Sequence, residues 1–105
     1  MPTESSPTIL VVEDDATVRN LILTTLDTQG FRHLSESTGR GAIAASASSV
    51  PDVVLLDLGL PDIDGIEVVR AIRSWSQMPI IVVSARSEDA DKIGALDAGA
   101  DDYLT

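Results

Sequence analysis

Three carboxylates and one hydroxyl stand where buried strands are expected to end in this chain. Glu13 and Asp14 close the first apolar run, Asp57 closes the third and Ser84 closes the fourth. Ligands of open α/β sheets bind outside the carboxyl ends of the strands, so these side chains are expected to converge. A buried carboxylate costs on the order of several kcal/mol to desolvate without a partner. The cluster therefore needs one.

A divalent cation is the partner that this chemistry favours. Two unit charges about 4 Å apart repel by roughly 4 kcal/mol at an effective dielectric constant near 20, so three carboxylates need a cation or must hold protons. The chain has no cysteine, which leaves oxygen ligands. Mg²⁺ is favoured over Zn²⁺ or a caged Ca²⁺ because it keeps waters and accepts phosphate oxygens. Asp57 is then a candidate metal ligand and a candidate nucleophile toward phosphorus.

Simpler roles exist for each of these residues. Glu13, Asp14 and Asp15 could cap the first helix, and Ser84 could bond to the backbone at the end of its strand. His33, the one histidine, stands in the second strand, away from the predicted site.

The elements that must position these residues alternate between strand and helix. Strands are expected over residues 8–13, near 31–36, and over 53–57, 78–84 and 101–105. Helices are expected from Asp15 to Gly30, over 39–49, from Asp64 through Trp75 and from Ser87 to Gly99. Trp75 is predicted to be partly buried, and Ile93 and Leu96 are predicted to face inward. The pattern is typical of a doubly wound, five-stranded parallel sheet.

Length and composition restrict the function classes. The chain has 105 residues, 44% of them hydrophobic, and a formal net charge of -10. Direct binding of nucleic acid is disfavoured, because it needs Lys and Arg to displace counterions. No signal peptide or membrane span is expected, which predicts a cytoplasmic protein. Residues 1–7 are expected to form a flexible leader, and residues 8–105 one domain.

The pattern contains five strands but four helices, so a fifth helix is expected to be missing. A doubly wound sheet without one helix exposes apolar surface, which favours self-association. We therefore expect the chain to be a C-terminally truncated piece of a longer protein.

Four stretches of the sequence resemble one known family. ILVVEDD at 9–15, LLDLGLPDIDG at 55–65, VVSA at 82–85 and GADDYLT at 99–105 together resemble the receiver domain of two-component response regulators. Three motifs are similar to the sequences of the winged-helix (OmpR/PhoB) class, in particular to those of its potassium-uptake regulators. These motifs are EDD, DLGLPD and SARSEDADKIGALDAGADDYL. The resemblance implies the flavodoxin-like fold of CheY. It also implies a protein that accepts a phosphoryl group and takes part in its own phosphorylation and dephosphorylation, without being an enzyme in the ordinary sense.

The resemblance also implies roles for the matching residues. Asp57 would accept the phosphoryl group from a sensor histidine kinase, and Glu13, Asp14, Asp57 and the backbone carbonyl of Gly59 would hold Mg²⁺. Ser84 would bond to the phosphoryl oxygen, and the small Ala85 would leave room for it.

Further roles concern the signal. Tyr103 matches the aromatic residue that swings inward on phosphorylation. The fourth helix and fifth strand would form a dimer face, for which the resemblance suggests ion pairs from Lys92, Asp97, Asp101 and Asp102. DNA would be bound only by a separate C-terminal domain.

One departure from the family pattern concerns a lysine. The family's catalytic lysine would come directly after Thr105, and the lysine of this chain, Lys92, lies in the predicted fourth helix. Without that ammonium group, we expect the chain to bind Mg²⁺ but to be phosphorylated poorly.

Two other functions fit the pattern less well. A phosphohydrolase with Asp57 as its own nucleophile would usually carry a second Asp two residues later, where Gly59 stands here. A nucleotide or flavin module would have a glycine-rich first turn, whereas EDD would repel phosphates.

Overall fold

The computed structural model of the chain describes residues 3–85 and 88–105, and strands and helices alternate along them. The five strands are β1 (Thr8–Val12), β2 (Arg32–Glu36), β3 (Val53–Leu56), β4 (Ile80–Val83) and β5 (Asp102–Leu104). The four helices are α1 (Ala16–Thr28), α2 (Gly39–Ser49), α3 (Gly65–Arg73) and α4 (Asp89–Ala98). The predicted order of elements is confirmed.

All strands pair in parallel in a single sheet of order β2-β1-β3-β4-β5. The chain moves outward from β1 to β2 and then crosses back to β3, β4 and β5. Because crossover connections are right-handed, this reversal places α1 on one face of the sheet and α2, α3 and α4 on the other. The doubly wound, flavodoxin-like fold is confirmed. The carboxyl ends of all strands lie at one edge of the sheet, called the carboxyl edge below, and their amino ends lie at the opposite, amino edge.

Polar side chains begin the helices, and those of α1 and α3 are the ones that the sequence predicts. Asp15 accepts hydrogen bonds from the backbone N–H groups at the start of α1, and Asp64 does the same for α3. Thr38 caps α2 through its hydroxyl oxygen. The predicted start of α4 at Ser87 lies outside the described residues, and Glu88 stands at the N-cap position of that helix.

Two glycines are required by the backbone. Gly99 ends α4 with a φ of +118°, a conformation that side-chain-bearing residues rarely adopt. Gly65 begins α3 so close to β3 that an added Cβ would lie 2.6 Å from Leu58 Cα. That close approach fixes the start of α3 against the end of β3.

The core lies mainly between the sheet and α2, α3 and α4. Leu56, Val68, Ile72 and Ile80 are fully buried there, and small residues of α2 complete the layer. On the opposite face, α1 has no buried residue and Leu21 is 68% exposed. Most of the hydrophobic stabilisation therefore comes from one face.

Two predictions about packing are wrong. Ile93 and Leu96 are exposed, because Ala95 occupies the inward position of α4. Trp75 is 47% exposed, so about half of it is buried; it lies beyond the end of α3, which is at Arg73.

Within the described residues, no helix is long and apolar enough to cross a membrane.

Candidate functional site

At the carboxyl edge of the sheet, backbone hydrogen bonds extend the strand pairing by one residue beyond the ends of β1, β3 and β4. Glu13 N–H donates to Glu36 O, and Asp57 N–H donates to Val12 O, both at 3.0 Å. Ser84 N–H donates to Leu104 O, also at 3.0 Å. Glu13, Asp57 and Ser84 are therefore held by the sheet itself, each directly after its strand.

The carboxylates of Glu13, Asp14 and Asp57 form one cluster. Each offers an oxygen atom, and these three oxygens lie within 4.8 Å of one another. Glu13 is 8% exposed, Asp57 is half-buried and Asp14 is exposed. The structure thus brings together the three acidic residues that the sequence predicts at this edge.

Glu13 is the most buried carboxylate of the cluster. Burial, a hydrogen bond with the Asp57 side chain and the negative charges of Asp57, Asp14 and Asp15 raise the pKa of Glu13 to about 8. Its Oε2 atom is buried and has no hydrogen-bond partner within the described residues. An ionised Glu13 therefore needs a positive charge beside it.

The cluster fits a hard divalent cation. It offers carboxylate oxygens, which suit Mg²⁺, and one oxygen of Glu13 is buried without a hydrogen-bond partner among the described residues. Gly59 lies close by, since an added Cβ there would be 3.8 Å from Asp57 Oδ2.

A cavity of about 300 Å³ lies beside the cluster, between the sheet and α1. Glu13, Asp57, Ser84 and Ala85 line it, together with apolar residues of the strands and of α1. Asp57 is therefore accessible from a cavity that is also lined by Ser84, the predicted hydroxyl, and Ala85, the predicted small residue.

Sequence reasoning missed two residues that hold the loops after β1 and β3. Arg19 donates from its guanidinium to the carbonyl oxygens of Glu13 at 2.8 Å and Asp14 at 3.4 Å, which holds the β1–α1 loop. Asp62, in the β3–α3 loop, accepts hydrogen bonds from the first amides of α2. Arg19 could have been suspected from its position in the first turn after the acidic residues. Nothing local to Asp62 indicates its partners.

The remaining predicted residues lie away from the cluster. Tyr103 is buried in β5, and the side chains of Lys92, Asp97 and Asp102 are exposed. Asp101 forms hydrogen bonds inside the domain: its Oδ2 accepts from Arg73 at 2.8 Å and from Ile80 N–H at 2.7 Å.

His33 also lies apart from the cluster. Its Nε2 lies 2.7 Å from Asp27 Oδ1, so the histidine joins β2 to α1 at a distance from the predicted site.

Comparison with known proteins identifies the family. The sequence model of the family described as the response regulator receiver domain matches residues 9–105. This chain belongs to the response regulator receiver family. Membership favours a signalling domain over the phosphohydrolase and nucleotide-binding alternatives.

Receiver domains of known regulators are similar in sequence. The chain is 50% identical over 97 residues to the KDP operon transcriptional regulatory protein KdpE of Escherichia coli K12 and 47% identical to KdpE of Mycobacterium tuberculosis H37Rv. Each alignment covers 92% of this chain and 43% of the relative. The chain therefore spans less than half the length of these regulators.

Solved receiver domains share the fold. The BeF₃-activated receiver domain of Klebsiella pneumoniae RstA gives a TM-score of 0.89 at 36% identity, covering 92% of this chain and 83% of that one. The receiver domain of the sensor histidine kinase PA1611 from Pseudomonas aeruginosa, solved with magnesium in its active-site cleft, gives 0.88 at 31% identity. That alignment covers 96% of this chain and 85% of the other.

Proposed function

We propose that this receiver domain accepts a phosphoryl group on Asp57 in a Mg²⁺-dependent reaction. The observation that carries the proposal is the placement of Asp57 within 4.8 Å of the Glu13 and Asp14 carboxylates, on the wall of an open cavity. A purely structural carboxylate would be expected to have a donor beside it. Among the described residues, the groups that cluster with Asp57 are two further carboxylates, one of which, Glu13, forms a hydrogen bond with it.

The donor in this proposal is a phosphohistidine of a sensor kinase. An Asp57 carboxylate oxygen forms the new bond to phosphorus while the P–N bond to the histidine breaks, and the electron pair of that bond returns to the imidazole. Glu13, Asp14, Asp57 and the Gly59 carbonyl would hold Mg²⁺, which neutralises the charge that gathers on the phosphoryl oxygens. The chain itself positions Asp57 through its backbone hydrogen bond to β1.

The signal would pass from Asp57 to the β4 and β5 side of the domain. Ser84 lines the cavity and is joined through its backbone to Leu104, next to Tyr103. A phosphoryl group that draws the Ser84 hydroxyl toward it would therefore bias the position of β5 and its aromatic residue.

We infer the wider role from the similar regulators. As part of a longer protein, the domain would switch a DNA-binding output domain that controls potassium uptake, in response to a KdpD-like sensor histidine kinase. Self-association would use the face of α4 and β5, where Ile93, Leu96 and Leu104 are exposed. The net charge of -10 supports DNA contact through a separate domain.

Phosphorylation can be tested with a small phosphodonor. The chain is incubated with phosphoramidate and MgCl₂, and intact mass spectrometry is used to find one added phosphoryl group that survives acid and is lost in base. We expect the adduct with Mg²⁺ and its absence with EDTA or in Asp57→Ala. Asp52→Ala is the matched control and should keep the adduct. An adduct that persists in Asp57→Ala, or none after prolonged incubation of the unmodified chain, would refute the proposal.

A further inference from the structure

The β3–α3 loop, which runs from Asp57 to Asp64, is attached to α2 by the side chain of Asp62. The two Asp62 oxygens accept separate hydrogen bonds, Oδ1 from Gly39 N–H at 2.8 Å and Oδ2 from Arg40 N–H at 2.9 Å. These amides are the first two of an 11-residue helix, where unpaired N–H groups and the helix dipole favour a negative charge.

An apolar contact accompanies this carboxylate. Ile63 packs so closely on the start of α2 that a Cβ added to Gly39 would lie 2.4 Å from Ile63 Cγ1. The amide hydrogen bonds lower the pKa of Asp62, so the carboxylate stays ionised and bound at neutral pH. Polar and apolar contacts from adjacent residues thus hold the loop on the same turn of α2.

The ends of the loop are fixed separately. Leu58 O accepts from Leu60 N–H and from Gly65 N–H, both at 3.0 Å, and Asp64 caps α3. In the middle of the loop, Asp62 and Ile63 contact the start of α2, and Leu60 packs against the core. The Gly59 carbonyl lies between the two anchored regions, three residues before Asp62.

We propose that Asp62 is a positioning residue for the metal site: by binding the first amides of α2, it fixes the β3–α3 loop so that the Gly59 carbonyl faces the carboxylate cluster. The inference rests on the proposed function, because it assumes that the cluster and Gly59 bind Mg²⁺. Outer contacts of this kind orient a ligand without touching the ion.

Calorimetric titration with MgCl₂ tests the proposal on the unmodified chain, Asp62→Ala and Asp62→Asn. Asp62→Ala removes both acceptors and should weaken Mg²⁺ affinity by about tenfold. Asp62→Asn keeps one acceptor oxygen and should fall between the two. The matched control is Asp52→Ala, which removes a similar carboxylate-to-amide hydrogen bond, to Thr8 N–H at 2.7 Å, at the opposite edge of the sheet. It should leave the affinity unchanged.

Thermal unfolding in EDTA, run beside the titrations, separates positioning from simple helix capping. If both Asp62 variants lose stability but bind Mg²⁺ as tightly as the unmodified chain, Asp62 only caps α2 and the inference is wrong. The order unmodified, Asn, Ala in affinity supports it, and Asp62→Asn provides the test if the alanine variant does not fold. Failure of the unmodified chain to bind Mg²⁺ would instead refute the proposed function.

Discussion

Acidic side chains lie at both edges of the sheet, and their surroundings differ. At the amino edge, Asp52 accepts from Thr8 N–H, and Asp101 accepts from Arg73 and from Ile80 N–H. At the carboxyl edge, Glu13, Asp14 and Asp57 gather around one another. The same residue types therefore stabilise the fold at one edge and repel one another at the other. We infer that the acidic cluster at the carboxyl edge lowers stability and serves the proposed function.

The largest effect should come from Arg73 at the amino edge. Its guanidinium donates to Gly99 O, Met78 O and Ser76 O as well as to Asp101, so it joins α3 to the starts of β4 and β5. Arg73→Ala removes this donor from three partly buried carbonyl oxygens, while Asp101 keeps its hydrogen bond from Ile80 N–H, and should lower the free energy of unfolding by about 3 kcal/mol. Urea unfolding followed by circular dichroism measures this.

Arg70 provides the matched control, because it lies on the same helix and forms an exposed ion pair with Glu67. Arg70→Ala should change the free energy of unfolding by less than about 0.5 kcal/mol. Equal losses for the two arginine variants would show that the amino edge is not held by this network.

The second effect is a dependence of stability on pH that originates at Glu13. Burial and the neighbouring carboxylates raise the pKa of Glu13 from 4.5 to about 8, so between these values the folded chain holds a proton that the unfolded chain has lost. Stability is therefore greatest at low pH within this window and falls as pH rises toward 8. In EDTA, the free energy of unfolding should fall by about 2 kcal/mol between about pH 5.5 and about pH 7, at up to about 1.4 kcal/mol per pH unit.

Glu13→Gln removes the titrating group while keeping its shape. Urea unfolding of this variant across the same pH range should give a markedly flatter profile. A profile as steep as that of the unmodified chain would assign the pH dependence to other groups and would weaken the contrast between the two edges.

The smallest effects should have opposite signs at the two edges. Asp57→Asn removes one charge from the cluster and should raise the free energy of unfolding in EDTA by about 1 kcal/mol. Asp52→Ala removes an acceptor from Thr8 N–H and should lower it by about 1 kcal/mol. Differential scanning calorimetry at neutral pH compares them, and changes of the same sign would contradict the difference between the two edges.

The sequence predicts the carboxyl edge better than it predicts what supports it. Glu13, Asp14 and Asp57 follow strands, and parallel strands bring their ends together whatever the details of packing. Asp15 and Asp64 are likewise recognisable as caps, because a cap acts on the residues that follow it.

Contacts between distant segments cannot be found in this way. Asp62 meets Arg40 across 22 positions, and Arg73 meets Asp101 across 28, so neither partner lies in a local pattern. The prediction for α4 is wrong for a related reason. Ile93 and Leu96 have helical spacing, but Ala95 is the buried residue of α4, and the face that a helix turns inward depends on packing against distant segments.

We propose that the carboxyl edge gathers its acidic residues so that Asp57 can react. The most direct test is to phosphorylate the chain with phosphoramidate and MgCl₂, reduce the acyl phosphate with borohydride, which converts the modified aspartate to homoserine, and locate that homoserine by tandem mass spectrometry. We expect homoserine at position 57 and unmodified aspartate at positions 52 and 101. Homoserine at an amino-edge aspartate, or modification of Asp57 that is unaffected by EDTA, would contradict it.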